Sequence, residues 1–427
     1  MTRAMKDSGI EWIGEIPQEW EVTKINHLYS QRNQKVSDKD FEPLSVTKKG
    51  ILPQLENAAK TDNGDNRKLV KIGDFVINSR SDRRGSCGIS SFDGSVSLIN
   101  IVLKPRENMN SKYFDWLFHT TLFADEFYKY GNGIVDDLWS TSWDNMKNIL
   151  VPYPPLNEQQ KIADFLDEKC SHIDSVLEKV RASIDEYKQL KQSVITQAVT
   201  KGIRPNRPMK DSGNKYYGEI PNNWYICKTL YCLSMPITDG PHSTPELFDT
   251  GIPFVSAEAV SCGNGSIDFN HIRGYISQEF YDECCLKYIP QINDVYMIKS
   301  GATTGKVSIV DTDRIFTIWS PLAVFRCNEK KTLPKFMYYA IQSDQYQKQI
   351  ALNWSFGTQQ NIGMRVLESL KICVPSLDEQ QEIVSYLDDK CSEIDKLITK
   401  KEQLIKELET YKKSLIYEYV TGKKEVI

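Results

Sequence analysis

The stretch Pro154-Pro155-Leu156-Asn157-Glu158-Gln159-Gln160-Lys161-Ile162 returns 221 residues later as Pro375-Ser376-Leu377-Asp378-Glu379-Gln380-Gln381-Glu382-Ile383. The match runs on at the same offset. Phe165-Leu166-Asp167 answers to Tyr386-Leu387-Asp388, Lys169-Cys170-Ser171 to Lys390-Cys391-Ser392, and Val199-Thr200 to Val420-Thr421. A chain that carries one segment twice must bury the two copies on each other or bury each on its own domain.

Each copy reads as a long helix. The proline at its entry suits an extended approach to a helix start. Asn157 and Asp378 stand where an N-cap is wanted, with Gln160 and Gln381 three residues on, as in a capping box. No glycine or proline follows until Gly202 and Gly422. Apolar residues recur every seven positions at Leu166, Ile173, Val180, Tyr187 and Val194, with a second line at Val176, Leu177, Ile184, Leu190 and Ala198. The other copy offers Leu387, Ile394, Leu408 and Leu415, and Lys401 falls where the first has Val180. This is a coiled-coil stripe over several heptads. A run of about 44 residues makes a rod of roughly 65 Å.

A second duplication precedes the first. Met5-Lys6-Asp7-Ser8-Gly9, Trp12, Gly14-Glu15-Ile16-Pro17 and Trp20 recur as Met209-Lys210-Asp211-Ser212-Gly213, Tyr216, Gly218-Glu219-Ile220-Pro221 and Trp224. The chain therefore divides into a first body over 1–156, a helix over 157–201, a linker over 202–208, a second body over 209–376 and a helix over 377–427. The bodies share a skeleton rather than residues. Ile72–Ile77 parallels Ile292–Met297, and each run leads into a polar loop whose glycines Gly85 and Gly305 align. Amphipathic stretches follow near 113–130 and 335–350. Both bodies read as α+β domains. The second is longer, with the excess expected as a turn-rich insertion around Thr238–Pro245.

Catalytic motifs are missing. No dinucleotide fingerprint or zinc-protease helix is present, and no nucleophile elbow. Gly301–Lys306 imitates a phosphate loop, but Ser300 replaces its first glycine and Val307 its magnesium-binding hydroxyl. Val151-Pro152-Tyr153-Pro154 does not match the methyltransferase motif of Asn or Asp, two prolines and an aromatic residue. His27, His119 and His172 read as structural groups. The ten cysteines lack metal spacing, so neither disulfides nor a metal is expected. No apolar run reaches membrane-spanning length and Met1–Ser8 does not read as a signal peptide, which makes the expected location cytoplasmic.

Signals for recognition are better. Arg80, Arg83 and Arg84, with Ser86, put three guanidinium groups on one short loop, and guanidinium pairs with guanine edges and phosphates. The corresponding loop of the second body offers Thr303, Thr304 and Lys306 beside Lys299. His242 lies in the Thr238–Pro245 segment. Gln359 and Gln360, in the run Phe356–Asn361, supply amides suited to adenine edges. Each loop alone could be a solvated turn; as corresponding loops of duplicated bodies they favour recognition. The formal charge of −4 is unusual for a lone DNA binder.

The two Lys-Asp-Ser-Gly…Gly-Glu-Ile-Pro…Trp openings, the two helix entries at Pro154 and Pro375 and the Thr238-Asp239-Gly240-Pro241-His242 segment together resemble the specificity subunit of type I restriction-modification enzymes, over essentially the whole chain. That resemblance implies two tandem target recognition domains, each followed by a long conserved helix, the helices pairing as an antiparallel coiled coil. Each domain would read one half of a bipartite, asymmetric site in double-stranded DNA. The subunit would have no catalytic activity and bind no cofactor. Its expected partners are two modification (methyltransferase) subunits, which use S-adenosylmethionine to methylate adenine N6, and restriction subunits, which use ATP and magnesium. Much of the phosphate neutralisation is expected from those partners. Three other readings stay open: the specificity subunit of a methylation-only system, a coiled-coil scaffold that does not bind DNA, and an enzyme in its own right that transfers methyl groups from S-adenosylmethionine.

Overall fold

In a computed structural model of the chain, residues 3–55, 64–132, 139–356 and 360–426 are described. They form two units, Met1–Arg181 with Glu402–Ile427, and Ala182–Lys401. Both duplicated segments are helices, Leu156–Lys201 and Leu377–Val420, and each passes from one unit into the other. Among the described residues no helix is long and apolar enough to cross a membrane.

The cap positions lie two residues before the expected ones. The carbonyls of Pro155 and Ser376 accept from the N–H groups of Gln159 and Gln380, at 3.0 and 2.8 Å. Asn157 and Asp378 are therefore exposed residues of the first turn, not N-caps. The buried amide two residues on fixes the entry. Gln159, fully buried, accepts from Asn110 N at 2.8 Å and donates to Pro154 O at 2.8 Å. Gln380 accepts from Leu333 N at 2.8 Å and donates to Lys331 O and Pro375 O at 2.9 and 3.0 Å. At the far ends Gly202 and Gly422 adopt φ of +80° and +70°, the left-handed stop that a residue with a Cβ resists.

Each opening motif folds into a short hairpin, Met5–Asp7 with Glu15–Pro17 and Met209–Asp211 with Glu219–Pro221. Its tryptophan then grips the helix entry. Trp20 Nε1 donates to Glu158 at 2.9 Å, and the Arg3 guanidinium bonds Glu158 and lies over the Trp20 ring. In the second unit Trp224 Nε1 donates to Glu379 at 2.9 Å, and Arg207 bonds Glu379 and lies over Trp224. The end of the other copy's helix arrives at the same tryptophan: a Cβ on Gly422 would strike Trp20 and Pro17, and one on Gly202 would strike Arg207 and approach Trp224.

Burial pushes the Glu379 carboxyl up, but hydrogen bonds from Arg207, Trp224 and Asn223 outweigh it and hold the group below the usual value of 4.5. A depressed folded-state pKa stabilises above the unfolded-state value and is lost as pH falls from about 4.5 downward. The urea midpoint of the chain is expected to drop over that range, and to drop less in Glu379→Gln. Equal slopes in the two proteins would remove Glu379 from the acid response.

The bodies share one four-stranded antiparallel sheet. In the first the order is Cys87–Ile89, Phe75–Asn78, Asn100–Pro105 and Tyr29–Gln31; in the second it is Val307–Ile309, Val295–Ile298, Leu322–Phe325 and Thr238–Asp239. Registers agree: Cys87 faces Ile77 as Val307 faces Met297. Asp74 and Asp294, 2% and 1% exposed, hold corresponding turns and are bonded by Arg32 and Arg326, which come from different strands. Each amphipathic stretch breaks into two helices, Ser111–Phe118 with Thr121–Lys129 and Pro334–Gln342 with Asp344–Leu352. The break is a capping hydroxyl: Thr120 and Ser343 each accept from the N–H three residues on and donate to the carbonyl three residues back.

The extra length of the second body is not a turn-rich insertion. Thr238–Asp239 is the edge strand of the sheet, and the added residues fold as Ile252–Val255, Gly274–Ile276 and the helices Ala257–Cys262 and Gln278–Cys285. Among its described residues the first body fills that place with strands, Lys35–Val36, Leu44–Thr47, Gly50–Pro53 and Arg67–Val70.

The long helices pack on the bodies and on each other. In the first unit Leu166, Cys170, Ile173 and Leu177 share a core with Leu415 and Val420, with Ile405 and Leu408 at its edge. Phe165 packs on Tyr419 with ring centroids 4.4 Å apart, Asp174 meets Lys412 and Arg181 meets Glu409. Partner numbers fall as helix numbers rise, so the pairing is antiparallel. In the second unit Ile195, Ala198 and Val199 share a core with Leu387 and Cys391, and Lys191 meets Asp395. Of the expected packing residues, Leu166, Ile173, Leu387, Ile394 and Leu415 are buried; Val180, Tyr187, Val194 and Leu408 are half-buried. Leu190 is 49% exposed, contrary to expectation. The seam alternates steps of three and four, passing from Tyr187 to Lys191, and Leu190 lies beside it. Lys401 lays its ammonium over the Tyr187 ring at 5.5 Å.

Candidate nucleic-acid interface

In both bodies the polar loop leaves the second strand of the sheet and is laced to a later loop by the same backbone ladder. Arg80 bridges Ser140, Thr141 N donates to Ser79 O at 3.0 Å, and Ser81 N donates to Trp139 O at 2.8 Å. Ser300 bridges Asn361, and Ile362 N donates to Lys299 O at 2.9 Å. The structure thus joins the Lys299–Lys306 loop to the Phe356–Asn361 run, which the sequence had offered separately. Gln359 lies outside the described residues, and only the backbone of Gln360 is described. The first body's counterpart, around Trp139 and Ser140, escaped sequence reading because its neighbouring charges are acidic, Asp136, Asp137 and Asp144, with no basic residue between them to mark it.

The arginine loop is less basic than its sequence. A single helical turn, Ser81–Arg83, brings Arg80 and Arg83 onto Asp82 at 3.0 and 3.6 Å. Arg84 pairs with Asp125 at 2.5 Å and lies over the Tyr128 ring. Three guanidinium groups thus face two carboxylates. These pairs are largely exposed, so water screens them and a competing phosphate or base edge displaces them at little cost. Ser86 is a correction: it is 5% exposed, its N–H bonds Arg83 O at 3.0 Å and its carbonyl accepts from Asn78, so it closes the turn instead of facing solvent. A cavity of about 530 Å³ opens beside Arg80, walled by Gln31, Lys68, Leu98, Ser140 and Trp143. Lys68 donates to Asn100 O at 2.7 Å, and burial lowers its pKa.

In the second body Thr304 N and Oγ1 both bond Gly301 O, Lys306 N bonds Thr303 O, and Gly305 N bonds Ile298 O. Gly305 sits at φ +94° where a Cβ would meet the Gln347 amide. The tight turn exposes Lys306 and half-exposes Thr303 and Thr304. Thr304 and Lys306 line a cavity of about 430 Å³ with Asn264, Gln342 and Gln347.

His242 belongs to the same surface through Asp239. That carboxylate is wholly buried and meets Lys299 at 3.3 Å, His242 at 3.2 Å and Lys287. Lys287 also bonds Gly240 O at 3.2 Å. A Cβ on Gly240 would collide with Ile318 O, so the chain passes there only as glycine. The Asp239 anchor leaves His242 70% exposed and ties it to the root of the Lys299–Lys306 loop. Lys299, 8% exposed, is part of that anchor. Lys287 lies 48 residues from Asp239, and no motif announced it.

Comparison with known proteins bears on this arrangement. A family model described as the type I restriction modification DNA specificity domain matches twice, over residues 17–184 and 241–410. The specificity subunit of type I restriction enzyme MjaVIII from Methanocaldococcus jannaschii is 25% identical over 419 residues, covering 92% of this chain and 90% of its own. The EcoBI specificity subunit of Escherichia coli is 26% identical over 251 residues, covering 57% of this chain and 52% of its own. Among solved structures, a chain from a study of complex assembly in the type I R-M system superposes with a TM-score of 0.71 at 16% identity, over 96% of this chain and 99% of that one. The HsdS subunit of Thermoanaerobacter tengcongensis gives 0.51 at 17% identity, over 96% and 98%.

Proposed function

The chain belongs to the type I restriction-modification DNA specificity family, and from that premise we propose that it reads a bipartite, asymmetric site in double-stranded DNA. Each body reads one half-site, and the chain directs adenine-N6 methyltransferase subunits, and restriction subunits where they are present, to that site. The observation that carries this reading is the repeated interface. Two bodies with one sheet and one loop ladder present different side chains in the same place: Arg80, Arg83 and Arg84 in the first, Thr303, Thr304, Lys306 and His242 in the second. Unlike readers on like frames call for unlike half-sites. The paired helices serve as a spacer, and half-sites about one turn apart, roughly 34 Å, lie on one face of the duplex.

The chain's own part is recognition. S-adenosylmethionine belongs to the modification subunits, and ATP with magnesium to the restriction subunits. The target adenine must leave the stack before it is methylated, and base contacts from this chain select which adenine does so. The work is cytoplasmic. With a net charge of −4, the chain relies on its partners for much of the phosphate neutralisation. The salt dependence of DNA binding by the complex is therefore expected to be steeper than that of the chain alone.

The test is a genome-wide map of N6-methyladenine in cells carrying the chain and its methyltransferase, and in cells lacking only the chain. A bipartite, asymmetric motif that vanishes with the chain is expected. A map that does not change would overturn the assignment. At residue level, Arg84→Ala is expected to cost about 1–3 kcal/mol in site affinity and to relax the first half-site at one base pair. A uniform loss over all sequences would make Arg84 a phosphate contact instead.

A further inference from the structure

We propose that the ion pairs Lys191–Asp395 and Lys412–Asp174 are a register lock for the two long helices, and that they set the number of unread base pairs between the half-sites. The second clause rests on the reading above; the first does not.

The two pairs are one interaction made twice. Lys412 lies 221 residues after Lys191, and Asp395 lies 221 after Asp174, the offset of the duplicated segment. Each lysine of one copy meets the aspartate of the other. Lys191 Nζ lies 2.7 Å from both Asp395 oxygens, and Lys412 Nζ lies 2.6 and 2.7 Å from those of Asp174. Both lysines sit in the apolar seam, one heptad beyond Ile184 and Ile405, and are only 23% and 24% exposed. A lysine on that line costs stability relative to leucine, and a register that brings it a carboxylate offsets that cost.

No other in-step or one-heptad pairing gives both lysines a carboxylate that is not already engaged. In a parallel pair in step, Lys191 would meet Lys412 and Asp174 would meet Asp395. An antiparallel shift of one heptad in one direction gives Lys191 a carboxylate at Glu402 but carries Lys412 onto Arg181. The opposite shift offers Lys191 and Lys412 only Asp388 and Asp167, which Lys335 with Tyr339 and Lys112 with Trp116 already hold, and it leaves Asp174 facing Ile405 and Asp395 facing Ile184. One heptad of helix is roughly 10 Å, which is about three base pairs of duplex. A slipped register would therefore appear as a changed spacer, not only as a weaker protein.

The experiment uses the full chain assembled with its modification subunits. Duplexes carry both half-sites, taken from the wild-type methylation motif, at spacers up to about four base pairs shorter and longer than native. Lys191→Glu with Lys412→Glu is expected to lower methylation at the native spacer roughly tenfold relative to the other spacers. It is also expected to lower the melting temperature. Adding Asp395→Lys and Asp174→Lys restores the opposite charges and is expected to recover both the spacer preference and the melting temperature. If the melting temperature falls and recovers while the spacer preference never moves, the pairs are only stabilising and the proposal is overturned. A reversed variant that keeps both properties overturns it as well. A wild-type complex indifferent to spacer length overturns the half-site reading instead, and the melting series then judges the lock on its own.

Discussion

A fragment of residues 1–208 is expected to pair with a second copy of itself and, with the methyltransferase subunits, to direct methylation to an inverted repeat of the first half-site. The argument is one of equivalence. In the whole chain the first body's core is completed by Leu415 and Val420 from the second helix, with Gly422 against Trp20. The first copy holds Val194 and Val199 at the matching positions, with Gly202 one residue beyond the match of Gly422. The charges also fit, since Lys191 of one fragment would meet Asp174 of the other. An antiparallel pair of identical fragments would thus cover its apolar stripe much as the whole chain does. Left single, the fragment would expose that stripe to water and associate in some other way. Sedimentation should give twice the fragment mass, and the methylation map should change from an asymmetric to a palindromic motif. A folded monomer, or an asymmetric motif, would sink the prediction.

The second large effect is expected at the helix entry. Glu379→Ala removes the carboxylate that Arg207, Trp224 and Asn223 share. Arg207 and Glu379 are 13% and 3% exposed, so the guanidinium and the indole N–H would stay buried without a partner. Breaking such a pair from one side costs about 3–5 kcal/mol. For a unit of this size that lowers the melting temperature by roughly 6–20 °C. Glu158→Ala in the first unit should cost less, because Glu158 is 19% exposed and water can replace part of its role. Calorimetry checks both the size and the order. A loss below about 1 kcal/mol for Glu379→Ala would mean that apolar packing around Trp224, and not its carboxylate, holds the helix entry.

Much of this molecule was legible in advance where its signals are local or periodic. The duplicated openings, the two long helices and their stop at Gly202 and Gly422 all follow from spacing, since a heptad stripe and a left-handed glycine declare themselves within a few turns. The alignment of Gly85 with Gly305 carried the shared sheet register. Reading failed where one local signal competed with another. Asn157 and Asp378 look like caps, but the buried amides of Gln159 and Gln380 fix the cap two residues earlier, at Pro155 and Ser376. Ser86 looks available, but its backbone is needed to close the turn.

By itself the sequence determined the repeat, the order of elements and the loops that differ between the bodies, because each is written in composition and period. Only the tertiary structure decided which loops share a surface, how far the arginine loop is neutralised, and which residues face one another across the helix pair. Asp125 lies far from Arg84 in the chain, Lys287 far from Asp239, and Asp395 far from Lys191. Contacts of that separation depend on the packing of whole elements, and no short window of residues contains them.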